Sequence, residues 1–315
     1  MVTGGTGFVG KALVNGLVSA GWSPLVLHRA TPGRTRSGHP RPARVPGPSE
    51  RSKEAMDSRI VDFSRPDELA AACAGAFAII HLVGIIAEIG GNTFQSVHVD
   101  LTKRMLQAAR DAGVRRHVQM SALGTRAGAR SRYHQTKWEA EECVRGSGLD
   151  WTIFRPSLIY ARHGGFVEVF DQLTRYSPFL PVLGGGRSLM QPIELGRVVQ
   201  AFVRALRVPS SIGRTYDLCS PERIEFRAIQ RIVLEALGRR RLLLPIPFPL
   251  ARIQGRILES VWPRLFHRAP PLHRDQILML EEDNVGDGGP ADAAFGLVHP
   301  TFREGLNRPP GRGTA

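Results

Sequence analysis

The feature that most constrains this chain is its opening, "MVTGGTGFVG", which sets Gly4, Gly7 and Gly10 three residues apart with a helical pattern directly behind them. Glycine lets a backbone turn tightly and lets a phosphate approach it. The first turn of a helix adds unpaired N–H groups and the positive end of a dipole. A chain with 34 glycines can form such a triplet by chance, so the residues behind it decide. Leu13, Val14, Leu17 and Val18 continue at helical spacing, Gly21 is placed to end that helix, and "PLVLHR" reads as a buried strand. Loop, helix and strand stand in the order of a nucleotide-binding βαβ unit, which makes the glycine loop a seat for a dinucleotide pyrophosphate. Only Val2 and Thr3 precede the loop, a stunted first strand, and the expectation is a start assigned too late, with an apolar strand encoded upstream.

Strands and helices alternate onward from there. "RIVDF" reads as a third strand, "RPDELAAACAG" as a short helix and "AFAIIHLVG" as a fully buried fourth strand. "TFQSVHVDLTKRMLQAARDAG" predicts a helix ending at Gly113, "RRHVQMSALG" a fifth strand, "YHQTKWEAEECVRGSG" a helix and "DWTIFRPSLIY" a sixth strand. The alternation predicts an α/β fold, a doubly wound parallel sheet (Rossmann fold) over residues 1–160. A smaller, mostly helical C-terminal lobe succeeds it over 161–286, with 191–220 returning to the Rossmann sheet. In it "GGFVEVFDQLTRYSPFLPVLGGG" reads as a helix and then a Pro/Gly-rich loop. Residues 30–58 read as a long flexible loop, and 287–315 as a loosely ordered tail.

Composition narrows the class. An apolar fraction of 42% with 22% charged residues is that of a globular protein. Cys73, Cys143 and Cys219 form no pair, which argues for a reducing compartment and against a disulfide or zinc framework, and the ten histidines show no metal-ligand spacing. The formal charge of +14 is carried almost wholly by arginine, since only four of the 42 cations are lysines. No RNA-binding or zinc-finger pattern accompanies it, so specific nucleic-acid binding is not expected. No apolar run reaches the length of a membrane span and no signal peptide fits, so the expected location is cytoplasmic, with a peripheral place on the inner face of a membrane as the alternative.

Two further positions bear on chemistry. Where the second strand ends, an acidic residue would bond the adenosine ribose, but this chain has Arg29 there and no carboxylate until Glu50. A guanidinium suits a 2′-phosphate, so NADP(H) is favoured over NAD(H), with Arg34 and Arg36 as helpers or plain solvated cations. Asp62, after the third strand, is placed to meet the adenine amino group or to serve a turn. In "SRYHQTKWEAEE", Tyr133 and Lys137 lie four apart and so on one helix face. An ammonium beside a phenol is expected to lower its pKa, which fits the tyrosine to exchange a proton with a carbonyl or hydroxyl oxygen as hydride moves to or from nicotinamide. Ser121, ending the fifth strand, would fix that oxygen by a hydrogen bond.

The segments "TGGTGFVG", "HLVG", "MSALG", "YHQTK" and "FRPSLIY", in this order, resemble the extended or atypical short-chain dehydrogenases/reductases. Within them the likeness is greatest to the group of the NAD(P)H-binding accessory subunit of respiratory NADH:ubiquinone oxidoreductase and its bacterial relatives, and it runs from about Val2 to Asn284. The resemblance implies a Rossmann fold with a C-terminal lobe and bound NADP(H). It implies cofactor contacts from Thr3, Gly4, Gly7, Phe8, Val9, Gly10, Arg29, Asp62, Phe63, Leu82, Val83, Gly84 and Pro156. It also implies that Ser121, Tyr133 and Lys137 stand at the reductase positions, with Lys137 reaching the nicotinamide ribose. The chain departs from the wider family in its truncated first strand, its irregular 30–58 loop, and Ala161 where sugar-nucleotide enzymes place glycine. Only eleven residues separate Ser121 from Tyr133, which weakens a sugar-nucleotide reading.

Partners are suggested by Leu250, Ile253, Ile257, Leu258, Val261, Trp262 and Leu265, which recur at helical spacing with Arg252, Arg256 and Arg264 between them and a break expected at Pro263. Such an amphipathic basic helix within 248–268 either packs on the protein's own core or docks at an anionic membrane surface or respiratory complex. Three functions are thus expected in falling order: an NADP(H)-dependent oxidoreductase acting on a carbonyl, alcohol or quinone near a membrane; a non-catalytic NADPH-binding accessory or assembly factor; and a sugar-nucleotide epimerase or dehydratase.

Overall fold

The computed structural model describes residues 1–29, 57–266 and 273–308, with the backbone alone at 257, 258 and 260–266. Arg34 and Arg36 lie outside the described residues, as does the expected 30–58 loop apart from Asp57 and Ser58. In chain order the first half runs β1 (Val2–Thr3), α1 (Phe8–Ser19), β2 (Leu25–Arg29), β3 (Asp57–Val61), α2 (Pro66–Cys73), β4 (Ala78–His81), a π-helical turn at Gln95–Asp100, α3 (Leu101–Asp111), β5 (Arg116–Met120), α4 (Arg132–Arg145) and β6 (Asp150–Pro156). The rest runs β7 (Ile159–Tyr160), α5 (Gly165–Tyr176), β8 (Phe179–Leu183), β9 (Leu189–Met190), β10 (Ile193–Glu194), α6 (Leu195–Ala205), β11 (Arg214–Leu218), β12 (Ile224–Glu225), α7 (Phe226–Ala236), β13 (Leu242–Ile246), α8 (Phe248–Phe266), α9 (Arg274–Leu280), α10 (Gly289–Phe295) and α11 (Phe302–Asn307).

Seven parallel strands form the main sheet in the order β3-β2-β1-β4-β5-β6-β11. Short as it is, β1 pairs on both sides, Val2 with Val26 and with Ile80. Chain order reverses at β1 and β4, the switch point at which doubly wound sheets open a crevice for ligands. At its centre the sheet is buried on both faces, which is why β4 is continuously apolar up to His81 rather than alternating. Helix α1 lies close against α6 because Gly16 carries no side chain: a Cβ there would stand 2.4 Å from Val199 Cγ1. The lobe has its own core, built on Tyr160, Phe170, Leu180, Ile229, Val233 and Phe302.

Four expectations are corrected. The segment after α5 is not all loop, because "FLPVL" forms β8 and pairs in parallel with β13. The sixth strand stops at Pro156, which has no N–H for a ladder, and resumes as β7. Helix α8 runs on through Pro263 to Phe266. The tail from Asp287 to Arg308 is not loosely ordered. Its Gly and Pro residues hide four apolar anchors: Phe295 and Leu297 enter the core of the sheet, and Phe302 and Leu306 that of the lobe. A capping box between Thr301 and Glu304 starts α11.

Candidate active site

The glycine loop sits over the switch point, and each of its glycines has a different physical reason. Gly4 holds φ +77, and a Cβ there would press on the Leu82 carbonyl carbon and the Val83 nitrogen, both at 3.2 Å. Gly10 lies inside α1 where a Cβ would stand 2.1 Å from the Gly4 carbonyl oxygen, so only glycine lets helix and loop meet. At Gly7, the N-cap, a Cβ would meet only the Gly4 oxygen, at 3.4 Å, so this side of the loop is open. Helix α1 has no side-chain cap and no acidic residue in its first turn. An open approach, uncapped N–H groups and the positive end of a dipole fit a dinucleotide pyrophosphate.

Around this seat, Thr3 Oγ1 and His81 Nδ1 lie 2.6 Å apart and tie β1 to β4. Leu82 donates its N–H to the Thr3 carbonyl, leading Val83 and Gly84 out of the sheet beside the loop. Arg29 is exposed at the end of β2 and donates from Nη1 to Asn92 Oδ1 at 2.8 Å. Asp62 accepts hydrogen bonds from the N–H and hydroxyl of Ser64, at 2.9 and 2.7 Å. The turn role is therefore the one seen for Asp62, and those bonds hold its carboxyl below the usual range. Phe63 is buried and its carbonyl accepts from Arg104.

Tyr133 and Lys137 stand one turn apart on α4, whose N-cap Ser131 accepts from the His134 N–H. Lys137 is buried and donates from Nζ to the Met120 carbonyl at 3.3 Å, and a Cβ on Gly84 would come within 3.0 Å of that nitrogen. The same lysine thus reaches the exits of both β4 and β5. Burial pulls its pKa down to about 8, opposed by the charge of Glu141 one turn on. Buried Glu141 is itself held by Arg145 and Arg155. Ser121, at the exit of β5, is buried with its hydroxyl 3.4 Å from Thr125 Oγ1. Pro156 is buried at the exit of β6, where its carbonyl accepts from Leu123.

Tyr133 departs from expectation. Its phenol is pushed up to about 12 by burial rather than lowered by Lys137, since the ring is packed edge-on against Phe94, His98 and His134. It is therefore fully protonated at neutral pH. His98 is not legible as a site residue in the sequence. Its ring meets Tyr133 at 5.3 Å, its Nδ1 lies 2.9 Å from Thr136 Oγ1, and its Nε2 accepts from the Ile85 N–H. Burial and the Lys137 charge keep this imidazole neutral. The π-helical turn that places it has no signature in the sequence. A cleft of about 460 Å³ opens next to Phe94, with Glu88, Arg130, Arg132, His273 and Asp275 in its walls. Among the described residues no cluster of side chains is arranged to hold a metal ion.

Comparison with known proteins bears on the fold and on the class of ligand. Residues 4–176 match the NAD(P)H-binding family. The NADH dehydrogenase [ubiquinone] 1 alpha subcomplex subunit 9 of Arabidopsis thaliana is 28% identical over 289 residues, which are 90% of this chain and 68% of that protein. A ceramide reductase of Caulobacter vibrioides is 32% identical over 182 residues, covering 58% of this chain and 53% of that one. The 4-hydroxy-2-methyl-3-oxo-4-farnesyl-3,4-dihydroquinoline-1-oxide ketoreductase of Stigmatella aurantiaca is 26% identical over 312 residues, 91% of this chain and 88% of the relative. Among solved structures, a nucleoside-diphosphate-sugar epimerase from Staphylococcus aureus superposes with a TM-score of 0.71 at 14% identity, over 98% of this chain and 99% of its own, a likeness of fold. The chain belongs to the NAD(P)H-binding family, within the extended short-chain dehydrogenase/reductase superfamily.

Proposed function

We propose that this protein is an NADP(H)-dependent reductase of a carbonyl or quinone-type substrate, working near a membrane. The observation that carries the reading is the pairing of Tyr133 with buried Lys137 on α4, at the exits of β4 and β5 and beside the glycine seat. The nicotinamide, when bound, supplies the hydride. Gly4, Gly7, Gly10 and the first turn of α1 with Phe8 and Val9 would hold the pyrophosphate, and Arg29 the 2′-phosphate. Thr3, Asp62, Phe63, Leu82, Val83, Gly84 and Pro156 complete the proposed cofactor contacts. Ser121 donates a hydrogen bond to the substrate oxygen. Tyr133, protonated across the physiological range, gives its proton to that oxygen as it gains charge. Lys137, an ammonium below about pH 8, would steady the phenolate left behind and would be the residue to hold the nicotinamide ribose when the cofactor is bound.

The names of two relatives, a ceramide reductase and a farnesylated quinoline-oxide ketoreductase, support a lipophilic substrate. The test monitors NADPH oxidation with ketones and short-chain quinones. Tyr133→Phe should lower kcat by ~10²-fold or more and leave NADPH affinity within about twofold. Unchanged turnover overturns the assignment.

A second reading is favoured by one observation, the similarity of 90% of the chain to a respiratory-complex subunit. In it the protein is a nucleotide-binding accessory factor that meets its complex through α8, and Tyr133→Phe leaves the cellular phenotype intact. In both readings it acts from the cytoplasmic side of a membrane. No described helix is long and apolar enough to cross one. A sugar-nucleotide epimerase or dehydratase ranks last, and would require protection of the protein by UDP- or dTDP-sugars.

A further inference from the structure

Helices α5 and α8 and the two-stranded ribbon between them leave an unusual surface. In the ribbon the parallel register sets Phe179 beside Leu242, Leu180 beside Leu243 and Pro181 beside Leu244. Leu180 and Val182 point into the lobe and are buried, so their neighbours point out. Phe179, Leu242 and Leu244 are 47%, 67% and 51% exposed. A ribbon with one face in water ordinarily carries polar residues there, and this outer face carries none over these three positions and Pro181.

The flanking helices repeat the anomaly. On α5, Val169, Leu173 and Tyr176 fall at helical spacing, all exposed, while Val167 and Phe170 face the core. Arg239 and Arg241, which lead into β13, donate to carbonyls at the end of α5, so the helix stripe and the ribbon lie side by side. On α8, Ala251 packs inward while Leu250 and Ile253 stay open at 57% each. Eight of the fourteen exposed large hydrophobic side chains among the described residues fall on these elements, a concentration that scattered surface residues do not reach.

Beside this face the one α5 carboxylate without an ion pair among the described residues, Glu168, accepts from Gln172, and two guanidinium groups outweigh it. Arg175 and Arg240 are exposed at its edge and have no ion-pair partner among the described residues, whereas Asp171 on α5 is neutralised by Arg239 at 2.6 Å. A protein partner would be expected to bring about one hydrogen bond per 100–200 Å² of contact, and the outer side chains of the ribbon offer neither donor nor acceptor. Aliphatic and aromatic side chains rimmed by guanidinium groups complement a bilayer with anionic headgroups, the acyl boundary taking the leucines and the phosphates taking the arginines.

We infer that the outer face of the β8–β13 ribbon, with the open sides of α5 and the start of α8, docks on an anionic lipid bilayer. The inference rests on the membrane clause of the proposed function and gives it a surface, and it is independent of turnover. A docked lobe would meet a lipophilic substrate in the phase that dissolves it.

The test is co-sedimentation with vesicles of phosphatidylcholine containing phosphatidylglycerol, and with phosphatidylcholine alone. Wild-type protein should bind the anionic vesicles and release as salt rises. The double variant Leu242→Ser/Leu244→Ser should lose roughly tenfold in partition or more while keeping its NADPH-induced rise in Tm, the check that it is folded. Arg175→Gln/Arg240→Gln should lose several-fold and flatten the salt dependence. Wild-type binding that the leucine variant leaves unchanged overturns the surface but not the membrane clause; failure of the wild type to bind either vesicle overturns both. A wild-type dimer in sedimentation velocity that the leucine variant disperses overturns the bilayer as the occupant in favour of a second copy.

Discussion

The central sheet and the β8–β13 ribbon use the same aliphatic side chains to opposite ends. In β4, Ile79 and Ile80 are sealed between helix layers, and the strand stands next to β1 at the glycine seat. In the ribbon, Leu242 and Leu244 are turned to water. Apolar residues alone therefore do not say whether a strand is scaffold or surface. What distinguishes the two is the number of covered faces, and that is a property of topology. The contrast predicts a large stability cost in one region and almost none in the other.

The largest effect is expected in the part of the chain whose sequence looks least like structure. Phe295 lies between Phe154 and Tyr216, with ring centroids 5.3 and 5.0 Å away. Phe295→Ala should cost about 3–5 kcal/mol, read from denaturant midpoints. A cost near zero would return the segment to the status of a loose tail.

That segment also shows what the sequence can and cannot convey. The glycine loop, the alternation of strands and helices, and the i, i+4 pair on α4 are legible because each is local: a turn, a period, a helix face. Phe295, Leu297 and Phe302 are not, because single anchors between Gly and Pro carry no period, and their burial depends on strands far earlier in the chain. Phe179 on the ribbon reads as loop for a related reason, since Pro178 and Pro181 resemble loop punctuation and the partner strand is about 60 residues away. His98 escapes because a π-helical turn differs from an α-helix by one residue of register. The direction of the Tyr133 shift escapes because it is set by packing against three rings, which the i, i+4 spacing to Lys137 does not reveal.

A second prediction sharpens the sheet side of the comparison. Gly10→Ala drives a Cβ into the Gly4 carbonyl and should cost about 1–3 kcal/mol while lowering NADPH affinity well over tenfold. Equal affinity would mean that the loop is not the seat.

Histidine supplies the third. Burial lowers the pKa values of His81, His98, His117 and His134, those of His117 and His134 to about 4. Each imidazole is neutral in the folded protein and gains a proton more readily when unfolded. Stability is therefore complete above pH 6.5 and is lost as pH falls below it toward the folded values, by up to about 1.4 kcal/mol per pH unit for each histidine. Urea midpoints between pH 4 and 7 read this slope, and a flat profile would contradict the burial.

The fourth concerns Lys137. With its folded pKa near 8, the ammonium is lost as pH rises through that value, while Tyr133 keeps its proton. Reductase kcat/KM should fall roughly tenfold per unit above about pH 8. A profile flat to pH 10 would exclude the lysine.

The smallest effect closes the comparison. Leu244→Ser on the ribbon should change stability by no more than about 0.5 kcal/mol, because its side chain already meets water. A cost of several kcal/mol would show that the face is covered in the working protein by part of its own chain.

The measurement that bears most directly on the central claim is thermal unfolding of the purified protein with NADPH, NADP⁺, NADH and NAD⁺ in turn. The account predicts a rise with the phosphorylated pair, worth about 2.7 kcal/mol at a hundred times the dissociation constant, and a smaller one with the other two. It also predicts that Arg29→Ala erases the difference. A rise with NADH equal to that with NADPH, or no rise with any of the four, would contradict it.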